Sequence, residues 1–321
     1  MQEATNPPRA RCFAVVNQKG GVGKSTTVVN VASWLALDGA KVLIVDLDPQ
    51  ANATTGVGID HHRVPGNIYQ ILVDDKPLED AIEASAIKDL YCVPSTLDLA
   101  GAEIELVPAL SRELKLRKAL EGVLPDFDYI FIDCPPSLGI LTVNALAAAK
   151  ELIVPIQCEY YALEGLSQLL KNTNLVQSNL NPSLSLYGIL LTMYDSRTRL
   201  AEQVAAEVRS HFPGKVFSAA VPRSVRLSEA PSHGLPIALY DPSSKGSVAY
   251  HSVANEVAKG VGSEQAASGP VPLTTTSTPA AAPPSGSVDL TDLQQGRALA
   301  SADAPPAGVS HPANHPEGGS F

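Results

Sequence analysis

The chain has 321 residues, 45% of them hydrophobic and 17% charged, enough for one large α/β domain or two small ones. No apolar run approaches bilayer-spanning length, and the N-terminal MQEATNPPRARCF lacks a basic segment followed by an apolar one, so membrane insertion and secretion are not expected and a cytoplasmic location is. The net charge of −10 weighs against nucleic acid as a partner, but its distribution is uneven: thirteen Asp and Glu face four Lys and Arg from Asp46 to Glu113, and five face seven from Leu190 to Lys245.

Residues 1–10 read as a flexible N-terminus, and CFAVVNQ is the first expected strand. It runs into NQKGGVGKSTT, Asn17 to Thr27, and then into the helical pattern STTVVNVASWLALDG, which begins near Lys24 and stops at Gly39. Strand, glycine-rich turn and helix in that order are the setting of a phosphate-binding loop. Gly20, Gly21 and Gly23 let backbone N–H groups approach phosphate oxygens, and the helix N-terminus adds partial positive charge. Lys24 is placed for the β- and γ-phosphates and Ser25 for Mg²⁺, with Val22 and Thr26 completing the cradle. The segment departs from the pattern G-x-x-x-x-G-K-[ST] in two places: Gln18 stands at the leading glycine, and an additional lysine, Lys19, follows it.

The next expected strand, KVLIVDLD, ends in Asp46 and Asp48, which share one face of an extended chain because its period is 2. One of them supports a metal shell while the other positions a water; a solvated turn carboxylate is the bland alternative for either. LYCVPS is a further strand, and DYIFIDCP ends at Asp133, read as a holder of Mg²⁺ or its waters rather than a strand-end cap. ELIVPIQ, LYGILLT and VFSAAVP complete the strands, and EGLSQLLKNTNLVQSN, RLAEQVAAEVRSHF and SSKGSVAYHSVANEVAKG the helices. The strand runs are continuously apolar, as strands covered on both faces are. They predict an α/β domain over 11–261: a doubly wound, mostly parallel sheet flanked by helices on both faces, with ligands beyond the carboxyl ends of the strands. From about Gly262 the composition turns to Pro, Ala and Ser, so 262–321 reads as a disordered tail. Cys12, Cys92, Cys134 and Cys158 form no close pair and read as buried free thiols.

KGGVGKST with Lys19, DLDPQANAT, IDCPPSLG, PIQCEYYALEG, LLTMYDSRT and VPRSVRLSEAPSHGLPI together resemble the ParA/Soj family of DNA-partitioning ATPases, in the MinD-type group with a deviant Walker A motif. The likeness covers about Cys12 to Lys259. It implies a P-loop ATPase using ATP and Mg²⁺, whose ATP-sandwich homodimer binds double-stranded DNA without sequence preference. A ParB-type centromere-binding protein would stimulate hydrolysis and release, at the nucleoid, in the segregation of a chromosome or plasmid. By the same resemblance Lys19 is the signature lysine that crosses the dimer interface to the partner's phosphates, Asp48 orients the attacking water, and Asp133 has the Walker B role. Pro222 helps hold the adenine; Ser224 stands where an asparagine is often found. Arg197 and Arg226 match positions that bind DNA, and Arg223 is a third candidate beside them.

The resemblance also gives the additional lysine a physical purpose. A lysine before the glycine turn does not easily fold back onto its own γ-phosphate, but across a two-fold axis it reaches its neighbour's, as an arginine finger supplied in trans does. A MinD-like membrane-associated ATPase is the alternative; it attaches through a basic amphipathic helix, whereas this tail offers Pro, Ala and Ser with one Arg. An iron-protein-type reductase needs paired cysteine ligands that Cys134 and Cys158 do not supply. A non-hydrolysing scaffold has no use for Lys19 and Asp48.

Overall fold

In a computed structural model the chain is described over residues 10–261; the expectations for the N-terminal residues before Ala10 and for the tail 262–321 lie outside the described residues. The elements follow in order as β1 (Arg11–Val15), α1 (Lys24–Leu37), β2 (Val42–Asp46), α2 (Asn52–Gly56), α3 (Ile68–Val73), β3 (Glu83–Ala84), β4 (Leu90–Val93), α4 (Leu99–Glu105) and α5 (Lys115–Leu120). Then come β5 (Tyr129–Asp133), α6 (Ile140–Ala148), β6 (Glu151–Gln157), α7 (Ala162–Asn179), β7 (Ser185–Thr192), α8 (Arg199–His211), α9 (Val225–Glu229), α10 (Ile237–Tyr240) and α11 (Lys245–Lys259). Together they form a seven-stranded sheet ordered β3-β4-β2-β5-β1-β6-β7. Every pairing in it is parallel except the two-residue β3 edge against β4. The doubly wound, mostly parallel sheet read from the sequence is the architecture observed.

Strand period decides which helix covers which residue. Phe13, Val15, Ile44 and Phe131 turn to one face, where Val28, Val31 and Leu35 of α1 and Tyr250, Val253 and Val257 of α11 join them in one buried cluster. Ala14, Val45, Ile130 and Ile132 turn to the other face and pack with Leu141 and Leu146 of α6 and Leu166 and Leu170 of α7. Both faces are therefore dry, which is why the runs read as continuously apolar.

VFSAAVP is not a strand of the sheet. Its ends pair with β7, Phe217 N–H donating to Ile189 O at 3.0 Å and Val221 N–H to Leu191 O at 2.8 Å. Between them the chain bows away, because the amides of Ser218 and Ala219 donate instead to the Glu256 carboxylate at 2.9 and 3.0 Å. The bow leaves Phe217 fully buried against Gly188 of β7, where a Cβ would lie 2.7 Å from the ring. Gly188→Val is accordingly expected to destabilise the fold by about 1–3 kcal/mol through overpacking, seen as a lower thermal midpoint; an unchanged midpoint would show that the ring has room to move.

Candidate nucleotide-binding site

The central strands β2, β5 and β1 end together, with Asp46 opposite Asp133 and Val15 opposite Asp133 in register. The glycine-rich turn leaves β1 at this edge. Asn17 ties it to the next strand, its side-chain amide donating to Pro155 O at 2.7 Å while its Oδ1 accepts from Lys19 N–H at 2.9 Å. Thr192 at the end of β7 donates to Val22 O at 2.8 Å, so the turn is held from a second side. Gly21 (φ 74°) and Gly23 (φ 90°) lie in the left-handed region, and at Gly21 nothing stands within 4 Å of the Cβ position. Bare backbone therefore faces open space in front of the N-terminus of α1, a fourteen-residue helix, as an anion cradle requires.

Lys24 is only 6% exposed, and its Nζ donates to Lys19 O at 3.4 Å. Burial holds its pKa down, while the nearby Asp133 and Asp48 carboxylates work the other way. Beneath the turn, burial and then the Asp46 charge push the Asp133 carboxyl well above the usual range, with Ser25 and Lys24 opposing. Neither Asp133 oxygen has a hydrogen-bond partner, so the approach of the Ser25 hydroxyl falls short of a bond. Asp46 differs. Its oxygens accept from Asp48 N–H at 3.1 Å, Thr54 N–H at 2.8 Å and Thr54 Oγ1 at 2.7 Å, and burial pushes its pKa up to about 6. Asp48 accepts from Gln50 N–H at 3.0 Å.

A cleft of about 350 Å³ opens over this edge, lined by Gly20, Gly21, Gly23, Lys24, Ser25, Thr26 and Asp48 among others. A second, of about 250 Å³, shares Gly23, Thr26, Met193, Leu227 and Pro231 with it and is lined also by Pro222, Arg223 and Ser224. The cradle residues and the two positions expected at the adenine thus fall along one continuous depression. Val22 is buried and contributes through its backbone. The Lys19 side chain does not line either cleft; it is 56% exposed and ion-pairs with Glu159. Sequence reasoning missed Met193, Leu227 and Pro231. Leu227 and Pro231 stand inside the quoted VPRSVRLSEAPSHGLPI and Met193 inside LLTMYDSRT, but the φ of 49° at Met193 is announced by no sequence pattern.

The donor set fits a magnesium ion. A buried carboxylate with both oxygens unpartnered, next to a serine at the mouth of a phosphate cradle, offers the hard oxygen ligands such an ion takes. Among the described residues no group of three or more His, Cys, Asp or Glu could hold a metal.

Of the candidate DNA-binding arginines, Arg223 lines the second cleft, while Arg197 and Arg226 line neither. A bridge pairs Tyr194 with Pro222, and Arg223 N–H donates to Tyr194 O at 3.3 Å, bringing the segments after β7 and before α9 together. Arg197, Arg223 and Arg226 are all exposed. Arg197 is bound to Asp195, and Arg226 to Glu229 at 3.1 Å and Asp241 at 3.5 Å.

Residues 10–186 match the model of a family described as an AAA domain. The chain is 56% identical over 248 residues to the sporulation initiation inhibitor protein Soj of Bacillus subtilis, covering 77% of this chain and 98% of the relative. It is 52% identical over 249 residues to the chromosome partitioning protein ParA of Myxococcus xanthus, covering 78% and 88%. Among solved structures, cobyrinic acid a,c-diamide synthase from Mycobacterium smegmatis with bound ADP and magnesium superposes with a TM-score of 0.69 at 38% identity, covering 78% of this chain and 94% of that one. The septum site-determining protein MinD of Pyrococcus horikoshii, complexed with Mg-ADP, gives 0.61 at 27%, covering 78% and 96%. No helix among the described residues is long and apolar enough to cross a membrane.

Proposed function

Because the chain belongs to the Soj/ParA family of chromosome-partitioning ATPases, we propose that it works as an ATP-gated DNA-binding dimer. The chain is a partitioning ATPase with ATP and Mg²⁺ as its cofactors. In our reading two copies sandwich the nucleotides, the dimer holds double-stranded DNA at the nucleoid without regard to sequence, and hydrolysis stimulated by a ParB-type partner releases it.

The observation that carries this reading is the position of Lys19, whose side chain is exposed and outside both clefts while Gly20, Gly21, Gly23, Lys24, Ser25 and Thr26 line its own. A cation so placed is available to a neighbour's phosphates. Within one subunit, Lys24 and the turn amides hold the phosphates, and Asp48 orients the attacking water. Ser25 and Asp133 would hold Mg²⁺, which when bound supplies charge neutralisation at the phosphoryl oxygens. Asp46, already hydrogen-bonded three times over, fits a positioning role, fixing the backbone of Asp48 and the start of α2. Pro222 and Ser224 wall the adenine side.

The test is DNA binding measured with ATP, with ADP and without nucleotide. Binding should require ATP, and Arg197→Glu and Arg226→Glu should each abolish it while sparing ATP binding. Wild-type affinity should fall with salt by a log-log slope of about −0.9 per phosphate neutralised. Equal binding by the nucleotide-free monomer, or normal binding by both charge reversals, would sink the proposed surface.

A further inference from the structure

Both arginines this reading assigns to DNA, Arg197 and Arg226, are ion-paired to carboxylates, and the partner of Arg197, Asp195, follows Tyr194, whose carbonyl accepts from the Arg223 N–H. Asp195 takes Arg197 in a fork: Nε donates to one oxygen at 2.9 Å and Nη2 to the other at 2.8 Å. That edge of the guanidinium is one of the two that match a phosphate bidentately. The same carboxylate feels the charge of Arg223 from the opposite segment; hydrogen bonds from Arg197, aided by that charge, pull its pKa down to about 2. Asp195 is therefore fully ionised at neutral pH. Its position is also specific, two residues beyond Met193, which lines both parts of the nucleotide depression.

Resting on the reading of Arg197 as a DNA contact, we propose that Asp195 is a carboxylate clamp on the DNA surface: it competes with backbone phosphate for Arg197. DNA binding then exchanges one anionic partner of Arg197 for another, and a single subunit gains little from it. The Arg197 side chain is 87% exposed, so the clamp is weak and phosphate displaces it. With the patches of two subunits side by side both the phosphate contacts and the clamp costs double, but the second patch engages intramolecularly, so the dimer overcomes a cost that a lone subunit does not. Asp195 so sets the threshold that keeps a lone subunit off DNA.

Asp195→Asn separates charge from shape. An asparagine oxygen still accepts from Arg197 N–H, a bond of 3.0 Å that forms the turn before α8, and the Asp195 carbonyl still accepts from Thr198. At fixed salt the variant is expected to bind duplex DNA roughly three- to tenfold more tightly with ATP, and to show binding with ADP where the wild type shows none. Thermal unfolding alongside reports that the fold is intact. Glu121→Gln, an exposed carboxylate at the end of α5 that lines neither cleft, controls for net charge and should give a smaller gain. Unchanged or weaker binding by Asp195→Asn would overturn the clamp; weaker binding in particular would mean that Asp195 aims Arg197 at DNA. Arg197→Ala distinguishes the two levels. If it loses DNA binding while Asp195→Asn does nothing, the DNA surface stands and the clamp fails. If it binds like the wild type, surface and clamp fail together. In the Arg197→Ala background most of the effect of Asp195→Asn should vanish.

Discussion

Lys24→Ala is expected to weaken ATP binding by about 3 kcal/mol or more, roughly a hundredfold in Kd, because it deletes the buried cation at the head of α1. The lysine stands 6% exposed beside Asp133 and Asp48, with its ammonium turned to the Lys19 carbonyl. Removing it takes away the cation that acts on Asp133 and Asp48, so phosphate repulsion joins the loss of attraction. The same change should also lower stability without nucleotide, since an uncompensated buried charge is costly. Titration with a fluorescent ATP analogue checks the first claim and a thermal melt the second. Near-normal nucleotide affinity would remove Lys24 from the phosphate role.

The second large effect concerns Lys19 and Asp48, which the proposed dimer brings together from different chains. Asp48→Ala should bind ATP yet turn it over slowly, by about 10²–10⁴-fold, the usual worth of a positioned acid–base group. Lys19→Ala should keep much of its ATP binding and lose stable ATP-dimer formation or hydrolysis, with a trans cation worth about 10³–10⁵ in turnover. Mixing the two variants gives the decisive measurement. In a heterodimer the Lys19→Ala subunit retains Asp48 and faces an intact Lys19, so one of the two sites should recover activity. If heterodimers form and remain inactive, Lys19 does not act across the interface.

Much of this arrangement was legible because a buried parallel sheet writes itself plainly. Strands β2, β5 and β6 are dry on both faces, so VLIVD, YIFID and ELIVPIQ read as continuous apolar runs, and functional carboxylates could be sought where those runs end. Asp48 lining the cleft and Asp133 unpartnered beneath it follow from that logic. Three things were not legible. VFSAAVP has strand composition, but its central amides are taken by Glu256 from another helix, a competition that no local pattern carries. The short helices α2 to α5, five to seven residues long, leave too few periods to register, and α6, ILTVNALAA, is apolar nearly all round. Asp46 and Asp48 looked equivalent, two residues apart on one face; Thr54, brought back by α2, is what separates them, since it engages Asp46 alone.

The place of β1 in the sheet has a consequence for how the chain is made. β1 is flanked by β5 and β6, with Arg11 opposite Tyr129, so the strand that launches the phosphate loop has no sheet partner until roughly 120 further residues have been synthesised. At ribosomal speeds of about 5–20 residues per second that is a wait on the order of ten seconds. Through that interval the apolar strand Arg11–Val15 and the helix behind it are exposed, with both strand edges unpaired. Nascent chains stalled before Tyr129 should therefore be caught by chaperones or aggregate, and those stalled beyond Gln157, with β5 and β6 outside the ribosome, should begin to resist protease around the loop.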